Sequence, residues 1–352
     1  MIILKKITTL VILLVIMTCA LIGNMSTSSA LTMRRQIKVG VLLSNVDNPY
    51  LSSVQKTLED IQRENIDKVQ FTFYDAKNNR AIQETTINNL VQGRKVDILF
   101  ANLVDKGSDS VRNLIDKARQ NEIPVIFFSF AEPDTIDIIK DYKKAFVVSY
   151  DEKQTGILEG KFIVDAWNTD KSSIDKNKDG ILQYIMLQAS NNNVVAVERT
   201  KNAISSINNA GIRTQELALV NAYFDKELAK EAIESLFIKY GNKIEAIISN
   251  NDAMAIGAIE ALQKYGYNKD DKSKNIVVVG VDGVQEAKDL IDKGIMTGTI
   301  IHDPRLLAEA LYTIGMNLVS NINPLEGTNY KFEDNGVEVH IPTEVYGKSV
   351  SS

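Results

Sequence analysis

Short apolar runs alternate with longer stretches in which apolar residues recur every three or four positions. The short runs have the length and β-branched composition of buried strands, and the longer stretches have the periodicity of amphipathic helices. The predicted strands are Ile37–Leu43, Val69–Tyr74, Ile98–Ala101, Pro124–Phe128, Ala145–Ser149, Gln183–Leu187, Ala246–Ile248, Ile276–Val281 and Gly298–Ile301. The predicted helices are Ser52–Glu64, Ala81–Gln92, Ser110–Gln120, Gly156–Trp167, Val194–Ala210, Lys226–Tyr240 and Ala253–Tyr265. Such alternation produces parallel sheets covered by helices on both faces, and there are too many strands for one doubly wound domain. The pattern therefore predicts two similar α/β domains.

Asparagine or aspartate follows nearly every predicted strand, and ligands of open α/β sheets bind beyond the carboxyl ends of the strands. The segments concerned are 45–50, 102–105, 190–193, 249–252, 281–283 and 301–303. Helix capping accounts for Asp105, Asp252 and Ser44. Capping does not account for the repeated asparagines or for the nearby aromatics Tyr50 and Phe224. Planar Asn and Asp side chains can bond two neighbouring hydroxyls, and aromatic rings cover the C–H faces of a sugar. The strand ends therefore predict a sugar-binding cleft.

Residues 175–183 have the spacing of a calcium-binding loop. Such a loop places side-chain oxygens at positions 1, 3, 5 and 9, a glycine at 6 and a backbone carbonyl at 7. The corresponding residues are Asp175, Asn177, Asp179, Gln183, Gly180 and Ile181. The pattern also requires a bidentate glutamate at position 12, where this chain has Met186, so the missing carboxylate must come from elsewhere. A solvated Asx-rich turn is the alternative, but the regular spacing favours calcium.

The first thirty residues are typical of a targeting segment and are left out of the fold prediction. Lys5 and Lys6 precede an apolar run at 10–23, and 28–30 offers small residues for cleavage. Lipidation at Cys19 and an uncleaved membrane anchor are the alternatives to a cleaved signal peptide. All three place the rest of the chain outside the cytoplasm, in the periplasm or on the extracellular face of the membrane.

The composition excludes several classes of partner and site. Without residues 1–30 the chain has 322 residues, 38 of them basic and 45 acidic, for a net charge of −7. This balance argues against nucleic acid and against anionic membrane surfaces as partners. The only cysteine, Cys19, lies in the targeting segment, so the exported chain has none left for an intramolecular disulfide, a cysteine-based metal site or thiol catalysis. The remaining length is sufficient for two domains, each with its own core.

The stretch at 243–258 closely resembles the galactose/glucose-binding proteins of bacterial ABC import systems; it reads KIEAIISNNDAMAIGA. Supporting stretches are 102–105, 123–128, 175–183, 279–282, 294–299 and 327–329. The resemblance extends over residues 37–346. It implies the periplasmic binding protein type I fold, in which two Rossmann-like lobes joined by three hinge strands close around one sugar. We assign 37–130 with 303–340 to an N-terminal lobe, and 131–302 with 341–346 to a C-terminal lobe that contains the loop.

The resemblance also supplies the missing calcium ligand. In that family a glutamate just before the strand that ends in Asn-Asn-Asp completes the loop, and here this residue is Glu245. The expected ligands of a structural Ca²⁺ are then Asp175, Asn177, Asp179, the carbonyl of Ile181, Gln183 and Glu245.

The sugar ligands of the family can likewise be transferred by position. The expected site consists of Asn48, Tyr50, Asn102, Asn193, Arg199, Phe224, Asn251, Asp282 and His302. Tyr50 and Phe224 keep aromatic character where the family sandwiches the sugar ring, and Arg199 is expected to bond adjacent hydroxyls. His302 is expected either to bond a sugar hydroxyl or to act in the hinge beside Asp303.

Four positions depart from the family pattern. Asn48 and Val195 each replace an aspartate, Asn193 replaces a histidine, and His302 replaces an asparagine. A buried hydroxyl left unpaired against Val195 would cost roughly 1–3 kcal/mol. The sequence therefore predicts a monosaccharide ligand without identifying which one.

The leading hypothesis is a monomeric, non-enzymatic receptor that delivers its sugar to an ABC permease and, in related systems, also to a chemoreceptor. The alternative is a membrane-tethered sugar co-sensor for a histidine kinase. A glycosidase would need paired carboxylates across the cleft, and Asp282 is the only acid among the expected sugar ligands. A transcriptional repressor with this fold would need an N-terminal helix-turn-helix, where residues 1–36 contain a signal segment instead.

Overall fold

The computed structural model describes residues 35–129, 133–269 and 271–350. The predicted signal segment, including Cys19, lies outside these residues. From Ile37 onward the chain forms one compact unit. Among the residues that the structure describes, no helix has the length and apolar character needed to cross a bilayer.

The first lobe is built on a six-stranded sheet in which every pair of neighbouring strands is parallel. Its strands are β1 (Ile37–Leu43), β2 (Val69–Asp75), β3 (Ile98–Ala101), β4 (Val125–Phe128), β5 (Ala145–Tyr150) and β11 (Glu338–Ile341). Its helices are α1 (Pro49–Glu64), α2 (Arg80–Gln92), α3 (Ser108–Gln120), α4 (Ile136–Lys140) and α10 (Pro304–Val319). The strand order is β11-β5-β4-β3-β1-β2. The order of connection therefore reverses between β1 and β3.

The second lobe repeats this arrangement. Its strands are β6 (Ile181–Gln188), β7 (Arg213–Asn221), β8 (Ala246–Ser249), β9 (Val277–Asp282), β10 (Gly298–Ile301) and β12 (Glu344–Gly347). Its helices are α5 (Glu152–Ile174), α6 (Val194–Asn209), α7 (Lys226–Tyr240), α8 (Asp252–Lys264) and α9 (Gln285–Asp292). The strand order is β12-β10-β9-β8-β6-β7, with only β12 antiparallel to its neighbour. The connection reverses between β6 and β8.

Each sheet is covered by helices on both faces. In the first lobe, α1 and α10 pack on one face and α2, α3 and α4 on the other. In the second lobe, α7, α8 and α9 pack on one face and α5 and α6 on the other. The central strands are accordingly apolar without alternation, and every residue of β4 and β8 is buried. The two-lobed α/β fold predicted from the sequence is confirmed.

The chain crosses between the lobes three times. The crossings lie between Tyr150 and Glu152, between Ile301 and Pro304, and between Ile341 and Glu344. The lobe boundary predicted at residue 130 is therefore too early. β5 hydrogen-bonds to β4 in the first sheet, and no change of composition marks its end, because α5 follows it almost directly.

Several elements escaped the sequence prediction. The strands β7, β11 and β12 and the helices α4, α9 and α10 were not predicted. β7 is an edge strand with no fully buried residue, so its apolar signal is weak. The start of α5 was placed at Gly156, whereas the helix begins at Glu152 after the capping residue Asp151. This difference bears directly on the site.

Candidate functional site

Three of the expected sugar ligands are helix N-caps. Each stands just before a helix that follows a strand, with extended backbone, and its side-chain oxygen accepts a backbone N–H of the first turn. The oxygens of these asparagines are thus already used in fixing the helix starts at the carboxyl edges of the sheets. The bonded pairs are Asn48–Leu51, Asn193–Ala196 and Asn251–Met254, at 3.0, 3.1 and 3.0 Å.

Asp252, expected to be a cap, has a different role. The cap of α8 is Asn251, and Asp252 lies one residue into the helix with no exposed surface. Its carboxylate accepts a hydrogen bond from the Thr299 hydroxyl at 2.7 Å and one from the Val284 N–H at 2.9 Å. Asp252 therefore ties α8 to strand β10 and to the loop after β9. The capping expectation for this residue was wrong.

Asn102 joins three strand ends in the first lobe. Its side-chain oxygen accepts the N–H of Ser44 after β1 at 3.1 Å, and its amide donates to the carbonyl of Phe128 in β4 at 3.3 Å. Asn102 is 3% exposed. The residue lies at the point where the strand order reverses, as a ligand residue should, while both of its polar groups are bonded to the protein.

The expected ring-covering aromatics lie in different lobes. Tyr50 is in the first turn of α1 and packs into the core of the first lobe. Phe224 follows β7 with a left-handed backbone (φ 60°), and its carbonyl accepts the Asn251 amide at 3.4 Å. The predicted sandwich therefore draws one ring from each lobe.

Arg199 on α6 is the centre of a buried polar network in the second lobe. Its guanidinium pairs with both carboxylate oxygens of Glu152, at 2.5 Å from Nε and 3.1 Å from Nη2. Nη1 also donates to the carbonyl of Asn250 at 2.6 Å. Burial lowers the pKa of Arg199, but the charge and hydrogen bonds of Glu152 outweigh it, so that the pKa is raised overall. The arginine is therefore a permanent, internally neutralised cation.

The close approach of α5 and α6 creates this pair. A Cβ added at Gly156 would lie 2.4 Å from the carbonyl oxygen of Arg199, and one at Gly160 would lie 2.4 Å from that of Ala203. Only glycine fits at these two positions of α5. Glu152 stands one turn before Gly156, so the same contact holds its carboxylate against the guanidinium.

His302 extends the network into the crossings between the lobes. Its Nδ1 lies 3.4 Å from Nη2 of Arg199, and its Nε2 lies 3.1 Å from the Thr155 hydroxyl. Burial, and then the charge of Arg199, holds the pKa of His302 well below its usual value, so the ring is neutral. Since Arg199 can only donate, we assign the Nδ1 as acceptor and the Nε2–H as donor to Thr155. Thr155 in turn donates to the carbonyl of Asp151 at 2.9 Å.

The ring of His302 is also fixed by aromatic contacts. It stacks on Tyr150 with centroids 3.8 Å apart and an interplanar angle of 4°, and it meets Tyr50 edge-on at 6.2 Å. The Tyr150 hydroxyl donates to the carbonyl of Asp303 at 2.7 Å. His302 is 1% exposed and both of its ring nitrogens are bonded to the protein, and its role as a sugar ligand or a hinge residue stays a prediction.

Buried carboxyl groups surround Arg199. Asp282 ends β9 with φ 122°, a strained conformation for a residue with a side chain, of the kind that clusters at functional sites. Burial raises the pKa of Asp282 well above its usual value, and the neighbouring Asp252 adds to the effect. Burial also raises the pKa of Asp252 to about 7.

Glu159 on α5 is a further buried acid. Neither of its carboxylate oxygens has a hydrogen-bond partner, and burial raises its pKa to about 8. Sequence reasoning missed both Glu152 and Glu159. Glu152 was placed in a loop before the predicted helix start, and an acid within an amphipathic helix gives no signal that its side chain is buried.

The structure brings Glu245 to the calcium-like loop. Glu245 lies just before β8 and is 1% exposed. Its carboxylate accepts the N–H of Lys176 at 2.8 Å and the N–H of Gln183 at 2.9 Å. Burial raises the pKa of Glu245, the two N–H bonds oppose this shift, and the charges of Asp175 and Asp179 add to it. The partner implied by the family resemblance therefore lies where the loop needs it.

Within the loop, carboxylate and amide oxygens bind the backbone of the turn. Asp175 accepts the N–H groups of Asp179 and Gly180, both at 3.0 Å. The Asp179 carboxylate accepts the N–H of Ile181 at 2.8 Å and the side-chain amides of Asn177 and Gln183 at 3.0 and 2.8 Å. Gly180 has φ 71°, the left-handed conformation that the sharp turn requires.

The donor chemistry of this loop fits a hard cation. Every expected ligand atom is an oxygen, and Ca²⁺ accepts mixtures of carboxylate, amide and backbone carbonyl oxygens. In the described part of the chain, no three His, Cys, Asp or Glu side chains are gathered closely enough to hold a metal ion. The amides and the Ile181 carbonyl would therefore have to supply part of the coordination, and calcium stays a prediction.

Comparison with known proteins supplies the family. Residues 39–322 match the family model described as periplasmic binding protein domain. The D-galactose/methyl-galactoside binding periplasmic protein of Haemophilus influenzae is 31% identical over 303 residues, which is 86% of this chain and 87% of that protein. The ribose import binding protein of Bacillus subtilis is 25% identical over 78% of this chain and 79% of its own length.

Solved structures agree on the fold. An ABC transporter solute binding protein from Bacillus halodurans with bound myo-inositol has a TM-score of 0.70 and 23% identity, covering 89% of this chain and 95% of that one. At this level of identity the likeness concerns the fold alone.

Proposed function

The chain belongs to the periplasmic binding protein domain family, and from this premise we propose that it captures a monosaccharide between its lobes and delivers it to an ABC importer. As a member of this family it is a binding protein and not an enzyme. The observation that carries the proposal is the set of fixed polar groups at the carboxyl edges of both sheets, beside the chain crossings. Asn102 in the first lobe and Arg199 in the second are members that each hydrogen-bond to more than one other segment of their lobe.

Ligand capture would use the two-lobed design. A sugar that contacts both lobes stabilises the closed arrangement relative to the open one, because only the closed arrangement makes all contacts at once. The network from Arg199 through His302 to Thr155 runs into two of the three crossings. A ligand bonded to Arg199 would therefore act close to the hinge.

A galactose- or glucose-like hexose is the first candidate for the ligand. The name of the relative at 31% identity supports it. Val195 weighs against an identical mode of binding, since an apolar side chain cannot accept a hydroxyl hydrogen bond. Delivery to an ABC permease follows from the family. A chemoreceptor or a histidine kinase as second partner, the latter in the co-sensor alternative, is a separate expectation that uptake assays address.

We also propose that residues 175–183 and Glu245 hold a structural Ca²⁺. The approach of the Glu245 carboxylate to the loop from a distant position in the sequence supports this. The ion would neutralise the carboxylates of Asp175, Asp179 and Glu245 and fix the loop to the start of β8. Chelation is then expected to lower the melting temperature, and an unchanged melting temperature in excess chelator would contradict the calcium proposal alone.

Thermal unfolding tests the sugar proposal. A ligand that binds only the folded state stabilises it by about 2.7 kcal/mol at a hundred times its dissociation constant. We expect one of D-galactose, D-glucose, D-ribose, D-allose or myo-inositol to raise the melting temperature, with mannitol as a control for general polyol effects. Loss of sugar uptake on deletion of the gene would identify the transporter role. A lost transcriptional response with intact uptake would favour the co-sensor.

A further inference from the structure

Arg199 has too few free N–H groups to bond two neighbouring hydroxyls of a sugar. A guanidinium carries five N–H groups. In this structure Nε–H and one Nη2–H bond Glu152, one Nη1–H bonds the carbonyl of Asn250, and the other Nη2–H faces the Nδ1 of His302. Four of the five are used within the protein. One N–H on Nη1 is left for a ligand.

Glu152 is the residue that imposes this orientation. Its two oxygens take two N–H groups of one edge of the guanidinium, a planar, bidentate geometry that fixes both rotation and position. The side chains are 3% and 7% exposed, so water does not compete for these bonds. A lysine or a monodentate acceptor would not hold the guanidinium plane in this way.

The carboxylate that neutralises Arg199 comes from α5 and not from its own helix, α6. On α6, Val195 stands one turn before Arg199, the (i, i+4) position from which a helix acid can pair with a basic side chain. Val195 is 5% exposed and lies outside both apolar clusters of the second lobe. The arginine therefore has an apolar neighbour on its own helix, and its counter-charge comes from α5.

We propose that Glu152 is a positioning residue that sets sugar specificity, by holding Arg199 so that it recognises a single hydroxyl instead of two neighbouring ones. This inference rests on the proposed sugar-binding function and extends it. Glu152 touches no ligand in this scheme and acts through Arg199. The protein then recognises the side of the ligand next to Val195 by its shape and by apolar contact, without a hydrogen bond.

The hypothesis that Glu152 only stabilises the fold predicts a different effect on the sugar affinities. If the pair only stabilised the fold, replacing Glu152 would lower stability and weaken all sugars by the same factor. If Glu152 positions the guanidinium, its loss releases two N–H groups. The order of preference among sugars that differ in their hydroxyls then changes.

The test is calorimetric titration of the purified protein with D-galactose, D-glucose, D-ribose, D-allose and myo-inositol. Glu152→Gln is expected to weaken the preferred sugar by about 30-fold, which corresponds to about 2 kcal/mol, because the guanidinium is then no longer held in the orientation that bonds this sugar. It is also expected to change the affinity ratios between sugars by about tenfold. The matched control is Glu227→Gln, which removes the same charge from a position that is 67% exposed and is expected to leave all affinities within about twofold.

Two further variants keep the test decisive if Glu152→Gln folds poorly. Glu152→Asp keeps the charge one methylene further away and should recover part of the affinity. Glu152→Gln combined with Val195→Asp returns a carboxylate to Arg199 from its own helix and should also recover affinity, with a new preference among the sugars. Recovery in either variant supports positioning by charge.

Unchanged affinity ratios in Glu152→Gln, or an affinity loss equal for all five sugars with no recovery in the other variants, would overturn the inference and leave the proposed function intact. Failure of the unsubstituted protein to bind any of the sugars would overturn the proposed function and this inference with it.

Discussion

Two polar assemblies of the second lobe, one partly exposed and one buried, differ in how their charges are neutralised. In the loop at 175–183, the carboxylates of Asp175, Asp179 and Glu245 each accept backbone N–H groups, and the ammonium of the exposed Lys171 lies 3.9 Å from Asp175. The network around Arg199 contains its own cation, paired within hydrogen-bonding distance to Glu152.

The pKa shifts differ within the loop itself, because the pKa of Glu245 is raised by burial while that of Asp179 is lowered. At Asp179, burial raises the pKa, but hydrogen bonds from the Ile181 N–H and from Gln183 and Asn177 outweigh it, so the net pKa is lowered and the carboxylate stays ionised. Beside Arg199, burial raises the pKa of Glu159 to about 8. In the described part of the chain, no cationic side chain donates a hydrogen bond to the carboxylates of Asp175, Asp179 or Glu245, and oxygens of this kind suit a metal ion. An assembly that is internally compensated suits a neutral, hydroxylated ligand.

The largest expected effect tests the mutual neutralisation of the Arg199 and Glu152 charges. Arg199→Met leaves the Glu152 carboxylate buried without its partner, which should lower the free energy of unfolding by about 3–5 kcal/mol. Urea denaturation measures this. Replacing both partners, as Arg199→Met with Glu152→Met, removes the stranded charge and should restore most of the loss. A single variant as stable as the unsubstituted protein would show that the pair is not buried as described.

The next effect tests the loop without its metal. In chelator, Glu245→Ala removes the acceptor of two buried backbone N–H bonds and should lower the free energy of unfolding by about 2–3 kcal/mol. Adding calcium should stabilise the unsubstituted protein and leave Glu245→Ala unaffected. Glu231→Ala, at an exposed position of α7, is the control. Equal stabilisation of all three proteins by calcium would place the ion elsewhere.

A smaller effect is expected in the pH dependence of stability, through the buried Glu159. Burial raises the pKa of Glu159 to about 8, above the value of an unfolded glutamate. The folded state therefore holds the proton more tightly, and stability falls as pH rises from about 4.5 to about 8. Glu159→Gln cannot ionise, so the fall should be smaller by about 1–3 kcal/mol in this variant, since an ionised buried carboxylate without partners is costly.

Denaturation at pH 5 and pH 8.5 measures the Glu159 effect. The same slope in both proteins would mean that Glu159 gains a partner or water when it ionises. Glu198→Gln, on the neighbouring helix α6 and partly exposed, controls for the loss of a glutamate charge.

The two assemblies also differ in how far the sequence predicts them. Five of the six calcium candidates lie within nine consecutive residues, so their spacing carries the signal, and only Glu245 needed the family resemblance. The Arg199 network joins residues from α5, α6 and the crossing at His302, which no local pattern connects. Glu152 was missed because the start of α5 was placed four residues too late.

The strand ends show the same limit of sequence reasoning. The Asn and Asp clusters lie at the carboxyl edges of both sheets, where three of the asparagines cap the helices that follow the strands. The assignment of individual side chains was less accurate. Capping was expected for Asp252, yet Asn251 caps the helix, and the polar groups of Asn102 and His302 are bonded to the protein. Capping and ligand binding use the same residue types, and only coordinates distinguish them.

Calorimetric titration of the purified protein, side by side with Arg199→Lys, tests the central claim most directly. Of D-galactose, D-glucose, D-ribose, D-allose and myo-inositol, the tightest ligand should bind once per chain. Lysine cannot reproduce the paired geometry, so Arg199→Lys should bind it at least about tenfold more weakly. Absence of binding by every sugar, or equal affinity in the two proteins, would contradict the account.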